Sequence, residues 1–168
     1  MTALTLETPH LVLQLADLQA TLTMISELPE AVRQEVSPIW HERLLAATEP
    51  SPWICGFEVR RRVDRLTVGG AAFKGPPDPM GCVEIAYGIE PEFQGRGYAT
   101  EVAVALAAFA LGLQEVRTVL AHTKADNPAS RRVLEKAGFV HVGLVMDPED
   151  GEVDRFEYRC VPTSPHLA

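Results

Sequence analysis

The sequence predicts a single α+β domain, residues 1–168, built as a sandwich of strand and helix layers. Three observations carry this prediction. Stretches with the alternation of strands recur along the chain, and capped helical patterns separate them. Their order is β-α-α-β-β-β-α-β-α-β-β. No repeat, low-complexity segment or linker divides a length that suits one domain.

The N-terminal half has the pattern of one strand, two helices and a hairpin. The expected elements are a strand at 8–15, a helix from an Asp17 cap to about residue 28, a short helix at about 39–47, and paired strands at 52–62 and 64–74. Pro29 and Pro38 separate the two helices, because proline interrupts helical hydrogen bonding.

The C-terminal half alternates strands with helices before a closing hairpin. The expected elements are a strand at 82–89, a helix at about 97–111, a strand at 116–123, a helix from Asn127 to Gly138, and strands at 139–146 and 153–161. Pro91 should stop the strand at 82–89. The helix at 97–111 is apolar nearly all round, so we expect it to be buried against the sheet.

Composition and charge exclude several classes of function. The chain is 46% hydrophobic and 23% charged, as in soluble globular proteins, and its net charge of −8 argues against a nucleic-acid partner. The sequence has neither a signal-peptide pattern nor an apolar run long enough for a membrane span. Cys55, Cys82 and Cys160 form no C-x-x-C, and the five histidines lack metal-binding spacing. We therefore expect a cytoplasmic protein without a metal.

Two closely spaced glycines, Gly95 and Gly97, stand at the mouth of the helix at 97–111, where a polar capping residue is usual. Uncapped amides and the helix dipole make a site for an anion such as a phosphate or pyrophosphate. Arg96 adds a positive charge, and Gln94 adds an amide that can orient the loop or hold a ligand. The third glycine of a dinucleotide-binding motif and the P-loop lysine are missing, which disfavours those folds. A glycine turn without a ligand is the remaining alternative.

Two motifs resemble those of one enzyme superfamily. Gln94-x-x-Gly97-x-Ala99 resembles the Q/R-x-x-G-x-G/A motif of the GCN5-related N-acetyltransferases (GNAT), where backbone amides hold the coenzyme A pyrophosphate. Residues 127–139 resemble the family's next motif, and residues 83–102 resemble its RimJ/RimL-like branch. The resemblance implies a mixed, mostly antiparallel, twisted sheet of about seven strands flanked by four helices, with the fourth and fifth strands splayed apart.

The resemblance also implies acetyl-coenzyme A (acetyl-CoA) as cosubstrate and direct transfer to a primary amine in a ternary complex. The amine would belong to a protein N-terminus or to a small cationic molecule. Cofactor binding then falls to Gly88, Ile89, Glu90, Gln94, Gly95, Arg96, Gly97, Tyr98, Ala99, Thr100, Asn127 and Ser130. The pantetheine arm would bond to the strand at 88–90 as an added strand does, and an N–H there would stabilise the oxyanion.

Glu84 is the candidate general base. It lies between apolar Val83 and Ile85 on the strand that leads to the glycine loop, where a carboxylate could take the ammonium proton. A surface glutamate paired across the sheet is an equal alternative, because a slip of one residue would turn Glu84 away from the cleft.

Ser130 is the candidate catalytic group for the departing sulfur. Many relatives carry a tyrosine seven residues after the asparagine to protonate the thiolate, and this chain has Leu134 there. Ser130 lies one helical turn after Asn127, on a face able to point at the sulfur. A capping role for Ser130 and protonation of the thiolate by solvent are both open.

The acceptor of this family enters between the first two helices and the last hairpin, and both segments are acidic here. The residues are Glu27, Glu30, Glu35, Glu42, Asp147, Glu149, Asp150, Glu152 and Asp154. Such a cleft would attract a polyamine, an aminoglycoside or a peptide N-terminus. Trp40 and Trp53 could wall the cleft or fill the core.

Two other functions stay open from the sequence. One is a regulator that binds acetyl-CoA without turnover, which Leu134 in place of the tyrosine favours. The other is a structural dimer module whose final strands pair across a two-fold axis. A homodimer is open for the enzyme as well.

Overall fold

The computed structural model describes residues 3–148 and 150–159, which form eight strands and five helices. The strands are β1 (Thr5–Glu7), β2 (Leu11–Leu15), β3 (Phe57–Arg61), β4 (Thr67–Phe73), β5 (Cys82–Ile89), β6 (Thr118–Thr123), β7 (Val140–Asp147) and β8 (Gly151–Arg159). The helices are α1 (Leu18–Glu27), α2 (Glu30–Arg33), α3 (Pro38–Ala46), α4 (Tyr98–Leu111) and α5 (Pro128–Lys136). Glu149 and Cys160, like the end of the strand expected at 153–161, lie outside the described residues.

The predicted fold class is confirmed, with two additions near the N-terminus. Residues 8–15 do not form one strand, because the chain turns at Pro9, where the Thr8 N–H donates to Leu11 O at 3.0 Å. The segment before the turn becomes β1, which makes eight strands where about seven were expected. The second addition is α2, one turn of helix between the two predicted helices. Within the part of the chain that the structure describes, no helix is long and apolar enough to cross a bilayer.

All strands join one sheet in the order β1-β2-β3-β4-β5-β6-β8-β7. Every neighbouring pair is antiparallel except β5 and β6, which are parallel. A parallel pair needs a long crossover, and α4 supplies it here. The mixed sheet therefore changes character at the strand that precedes the glycine loop.

The splay predicted between these two strands is confirmed. Paired residues are Cys82↔Thr118, Val83↔Val119 and Glu84↔Leu120, and the pairing stops there. Beyond this point β5 runs on to Ile89 and β6 to Thr123 with no pairing between them. One side of β5 thus loses its strand partner just before the glycine loop.

The core places the two faces of β5 in different surroundings. Val83 and Ile85 belong to the apolar core that includes Val102 and Leu106 of α4, as expected for a helix that is apolar nearly all round. Burying such a side chain fully stabilises the fold by roughly 1.5–3 kcal/mol. Because side chains alternate along a strand, Glu84 is on the opposite face.

Candidate active site

A cavity of about 640 Å³, here called the glycine-loop cavity, opens where β5 and β6 diverge. The end of β5, the glycine loop and the N-terminal turns of α4 and α5 form its walls. Ten of the predicted cofactor residues line it: Gly88, Ile89, Gln94, Gly95, Gly97, Tyr98, Ala99, Thr100, Asn127 and Ser130. Glu90 and Arg96 do not line it, and both are exposed.

The glycines of the loop are required by backbone conformation. Gly95 and Gly97 have φ of +77° and +82°, in the left-handed region that non-glycine residues seldom adopt. Gly97 is the N-cap of α4, and no side chain caps this helix. A Cβ atom on either glycine would meet nothing within 4 Å, so the space beside both glycines at the helix mouth is open. The geometry fits an anion such as a pyrophosphate.

Gln94 fastens the glycine loop to the end of β5. Its Nε2 donates to the Ile89 carbonyl at 2.8 Å. The side chain thereby satisfies a backbone acceptor that a neighbouring strand would otherwise have taken. Of the two roles considered for this amide, orienting the loop is the one that the hydrogen bond serves.

Along β5, successive backbone N–H groups point alternately toward β4 and toward the gap that opens where β5 and β6 stop pairing. The Glu90 N–H donates to Val68 O of β4 at 2.8 Å, so it is not available to a ligand. Gly88, two residues earlier, faces β4 in the same way, opposite Gly70. Tyr87 and Ile89, which alternate with these two residues along β5, direct their N–H groups to the gap between β5 and β6. Within the range 88–90, Ile89 is therefore the residue placed to bond an added strand.

The side chain of Asn127 caps the start of α5. Asn127 Oδ1 accepts from the Ser130 N–H at 3.1 Å, and Pro128 occupies the first turn, where its missing N–H costs nothing. Ser130 lines the glycine-loop cavity. Leu134, one turn further along the helix, is 1% exposed and belongs to the apolar core. Ser130 is therefore the α5 hydroxyl that faces this cavity.

Tyr87 is a site residue that is not among the candidates named from the sequence. Its hydroxyl oxygen is buried and has no hydrogen-bond partner within residues 3–148 and 150–159. Burial raises the pKa of this phenol; a contact with the Ser130 hydroxyl opposes the rise, although it falls short of hydrogen-bond geometry. Alternation along β5 puts Tyr87 on the face of Val83 and Ile85. That alternation was the signal in the sequence.

Glu84 on β5 contacts two polar side chains, Lys74 in the loop that follows β4 and His122 on β6. Its Oε1 is 2.8 Å from His122 Nδ1 and 3.0 Å from Lys74 Nζ. Burial alone would lower the pKa of Lys74, but the hydrogen bond and charge of Glu84 outweigh it and the pKa is raised. His122 Nε2 is buried without a hydrogen-bond partner among the described residues. Glu84 lines neither the glycine-loop cavity nor the cavity described next, but Lys74 lines the latter.

A second cavity of about 880 Å³, here called the sheet-face cavity, lies between the first helices and the sheet. Helices α1 and α3 form its roof, and strands β3, β4 and β5 form its floor. The roof includes Met24 and Trp40, whose Nε1 donates to Ile54 O at 2.8 Å. Tyr87 lines both cavities, so they meet at this residue.

The acidic residues expected around the acceptor do not line the sheet-face cavity. This holds for all the expected acidic residues that the structure describes: Glu27, Glu30, Glu35, Glu42, Asp147, Asp150, Glu152 and Asp154. Asp154 instead contacts His141 Nε2 at 2.7 Å within the last hairpin. Trp40 walls this cavity, whereas Trp53 packs edge-on against Phe73 at 5.0 Å between ring centroids. Within residues 3–148 and 150–159, no group of three or more His, Cys, Asp or Glu side chains could hold a metal ion.

The sequence matches a family model described as an acetyltransferase (GNAT) domain over residues 8–140, well over half of the chain. A curated relative is the uncharacterized N-acetyltransferase YjdG of Bacillus subtilis (strain 168), 37% identical over 73 residues. The match spans 44% of this chain and 44% of that relative's length.

Solved acetyltransferase structures share the fold. RimL, an alpha-N-protein acetyltransferase of a ribosomal protein in complex with coenzyme A, superimposes with a TM-score of 0.68 at 16% identity, covering 93% of this chain and 98% of RimL. The aminoglycoside acetyltransferase AAC(6')-Ib with coenzyme A and kanamycin has a TM-score of 0.65 at 18% identity, covering 89% and 94%. At such identities the likeness concerns the fold alone.

Proposed function

The chain belongs to the GNAT acetyltransferase family, and from that premise we propose that it transfers the acetyl group of acetyl-CoA to a primary amine in a ternary complex. The observation that carries this proposal is the meeting of the glycine-loop and sheet-face cavities at Tyr87. One cavity suits the cofactor and the other suits the acceptor. Transfer without a covalent enzyme intermediate needs such a junction.

Acetyl-CoA is proposed to bind in the glycine-loop cavity. Its pyrophosphate would lie against the amides of Gly95 and Gly97 and the N-terminus of α4, where negative charge is favoured. Its pantetheine arm would run along the unpaired side of β5, within reach of Ile89 and Tyr87. Arg96 is exposed beside the loop and would meet the outer phosphates through solvent.

The chemistry proposed is attack of a neutral amine on the thioester carbonyl, with the thiol of coenzyme A as leaving group. A backbone N–H of β5 that faces the gap, at Tyr87 or Ile89, would donate to the developing oxyanion. One such donor typically lowers the barrier by roughly 3 kcal/mol. The departing sulfur needs a proton, and two residues that carry a hydroxyl, Tyr87 and Ser130, line the cavity in which it would leave.

Glu84 is proposed as the base that takes the ammonium proton before attack. It shares a face of the sheet with Ala86, which lines the sheet-face cavity, and its partner Lys74 lines that cavity too. Because Glu84 lines neither cavity while its partner Lys74 lines the sheet-face cavity, the proton would reach it through a water molecule. His122, bonded to the same oxygen, would hold the carboxylate in place.

A regulator that only binds acetyl-CoA is not favoured. Such a protein has no need of a large second cavity that shares a lining residue with the cofactor cavity, and this chain has one. The RimJ/RimL-like branch, the homodimer, the cytoplasmic location and the extent of the domain over all 168 residues stay predictions.

The experiment that tests the function couples two measurements. Acetyl-CoA should raise the melting temperature, and free thiol should be released on addition of primary amines but not of a tertiary amine. Binding to the native state alone adds about 2.7 kcal/mol of stability at a hundredfold excess over Kd. A missing shift at millimolar acetyl-CoA would remove the cofactor assignment. A rise in melting temperature without amine-dependent thiol release would instead support a regulator that binds acetyl-CoA without turnover.

A further inference from the structure

We propose that the acceptor is a primary monoamine with an apolar body, an alkylamine or aralkylamine in chemical class, rather than a polyamine or an aminoglycoside. The inference rests on the proposed function, because it assigns the acceptor to the sheet-face cavity. It follows from what lines that cavity.

The sheet-face cavity is apolar where a substrate body would lie. Met24 and Trp40 stand over it from α1 and α3. The floor includes small residues, among them Gly70, Ala72 and Ala86, and it carries no polar side-chain atoms at these positions. An aliphatic chain or an aromatic ring that binds there would be removed from contact with water. Each methylene buried in this way strengthens binding about fourfold.

The charged side chains that line the cavity are already paired. Glu58 accepts from Arg60 Nη2 at 2.8 Å and from the Thr67 hydroxyl. The Arg60 hydrogen bond, followed by that of Thr67, lowers the pKa of Glu58. Lys74, the other charged lining residue in the described chain, is paired with Glu84. A substrate with several ammonium groups would find no free carboxylate here, and desolvating unpaired charges is costly.

The floor also disfavours an extended peptide. Strands β3, β4 and β5 are interior strands, and their ladders with each other engage the backbone groups between them. A peptide bound by main-chain hydrogen bonds needs a free strand edge. Here that kind of edge lies on the far side of β5, in the glycine-loop cavity assigned to the pantetheine arm. A compact molecule with one amine makes no such demand.

The test measures kcat/KM for a chain-length series (propylamine, butylamine, pentylamine and hexylamine) beside phenethylamine, spermidine, kanamycin and a tripeptide with N-terminal leucine. We expect kcat/KM to rise by about fourfold per added methylene. Hexylamine and phenethylamine should exceed spermidine, kanamycin and the tripeptide. A flat series, or a preference for a polycation or for the tripeptide, would overturn the proposal.

Two methionine variants locate the effect. Met24 is 54% exposed at the cavity, and Met146 is 74% exposed on β7, away from it. Met24→Ser should reduce the gain per methylene, while Met146→Ser should leave the series unchanged. Because both side chains are largely exposed, neither variant should fail to fold. Equal series in the two variants would count against the cavity.

A binding measurement separates this inference from the proposed function. Phenethylamine should raise the melting temperature of the protein with coenzyme A bound, and Met24→Ser should weaken that shift. If no amine releases thiol but the phenethylamine shift is present, transfer is refuted while the apolar acceptor site stands. If amines are acetylated but spermidine gives the larger shift, transfer stands and the acceptor class is wrong.

Discussion

His122 Nδ1 lies 2.8 Å from Glu84 Oε1, just beyond the point where β5 and β6 stop pairing. The last residue pair joins Glu84 to Leu120, and His122 is two residues further along β6. The carboxylate therefore bridges two diverging strands while it also contacts Lys74 of the neighbouring loop. Substitutions at this position must separate a structural contribution from a chemical one.

Glu84→Gln should lower turnover by about 10²–10⁴ at neutral pH and leave acetyl-CoA affinity nearly unchanged. Glutamine keeps an oxygen that can accept from His122 but cannot take a proton from the amine. The loss should shrink at high pH, where the free amine already dominates. A pH–rate profile of both proteins checks this. Glu135→Gln, at an exposed carboxylate paired with Arg131 on α5, is the control and should behave as wild type. Full turnover in Glu84→Gln at neutral pH would move the base elsewhere.

Gly97→Glu should abolish the thermal shift produced by acetyl-CoA. The new side chain would fill the open space before the helix mouth and repel the pyrophosphate. Gly151→Glu is the matched control, because Gly151 has φ +75° and an equally open Cβ position at the start of β8. Both variants should lose roughly 1–2 kcal/mol to left-handed strain. An acetyl-CoA shift that survives in Gly97→Glu would place the cofactor elsewhere.

Asn127 and Ser130 should separate in cofactor titrations. Asn127→Ala removes the side-chain cap on the Ser130 N–H, which should cost about 1 kcal/mol of stability and weaken acetyl-CoA binding as well. Asp17→Ala removes the cap of α1, an Asp17 Oδ1 that accepts from the Ala20 N–H at 2.6 Å. It should cost a similar amount and leave acetyl-CoA binding alone. Comparable weakening in both would make the Asn127 effect purely structural.

Ser130→Ala should keep both stability and cofactor affinity, since alanine favours helices. Turnover should fall only if the hydroxyl steers or protonates the departing sulfur. Steady-state rates at saturating acetyl-CoA decide this. Unchanged turnover would leave the proton to Tyr87 or to solvent.

Tyr87→Phe should lower turnover by about 10², the low end for general acids, because a thiolate is already a good leaving group. Burial raises the pKa of Tyr87 above its ordinary value of 10.0, so the phenol is protonated at neutral pH. Wild-type turnover should then fall as pH rises through the raised pKa, and Tyr87→Phe should lack that limb. The free energy of unfolding depends on pH in the same direction. The contribution of the buried, protonated phenol is fully present below pH 10.0 and is lost as pH rises through the higher pKa that Tyr87 has in the folded protein.

Tyr158→Phe is the control for this experiment, because Tyr158 packs against Phe139 with ring centroids 5.5 Å apart, away from both cavities. Its pH–rate profile should match the wild type. If Tyr87→Phe and Tyr158→Phe give the same profile, the alkaline limb belongs to another group.

Features of the site that depend on neighbouring residues in the chain could be predicted from the sequence. Contacts between different strands and helices could not. Pro91, Gly97 and Asn127 each act within a few residues of the chain, so the strand end, the bare helix mouth and the capped helix were predictable. The contact between Glu84 and His122 depends on the register of a parallel pair closed by a long crossover, which no short pattern encodes. The acidic residues of α1 and α3 were in the expected helices, but which helix face roofs a cavity is decided by packing.

The three residue pairs between β5 and β6 also divide the sheet mechanically. Strands β1 to β5 form one part of the sheet and β6, β8 and β7 form the other, and α4 packs against strands of both parts. A pantetheine arm bound in the gap would connect the two parts of the sheet where β5 and β6 are unpaired. The amide hydrogens of Tyr87 and Ile89 should accordingly exchange quickly with deuterated solvent in the free protein and slowly once coenzyme A is bound. On this view the ligand completes the sheet as well as supplying the acetyl group.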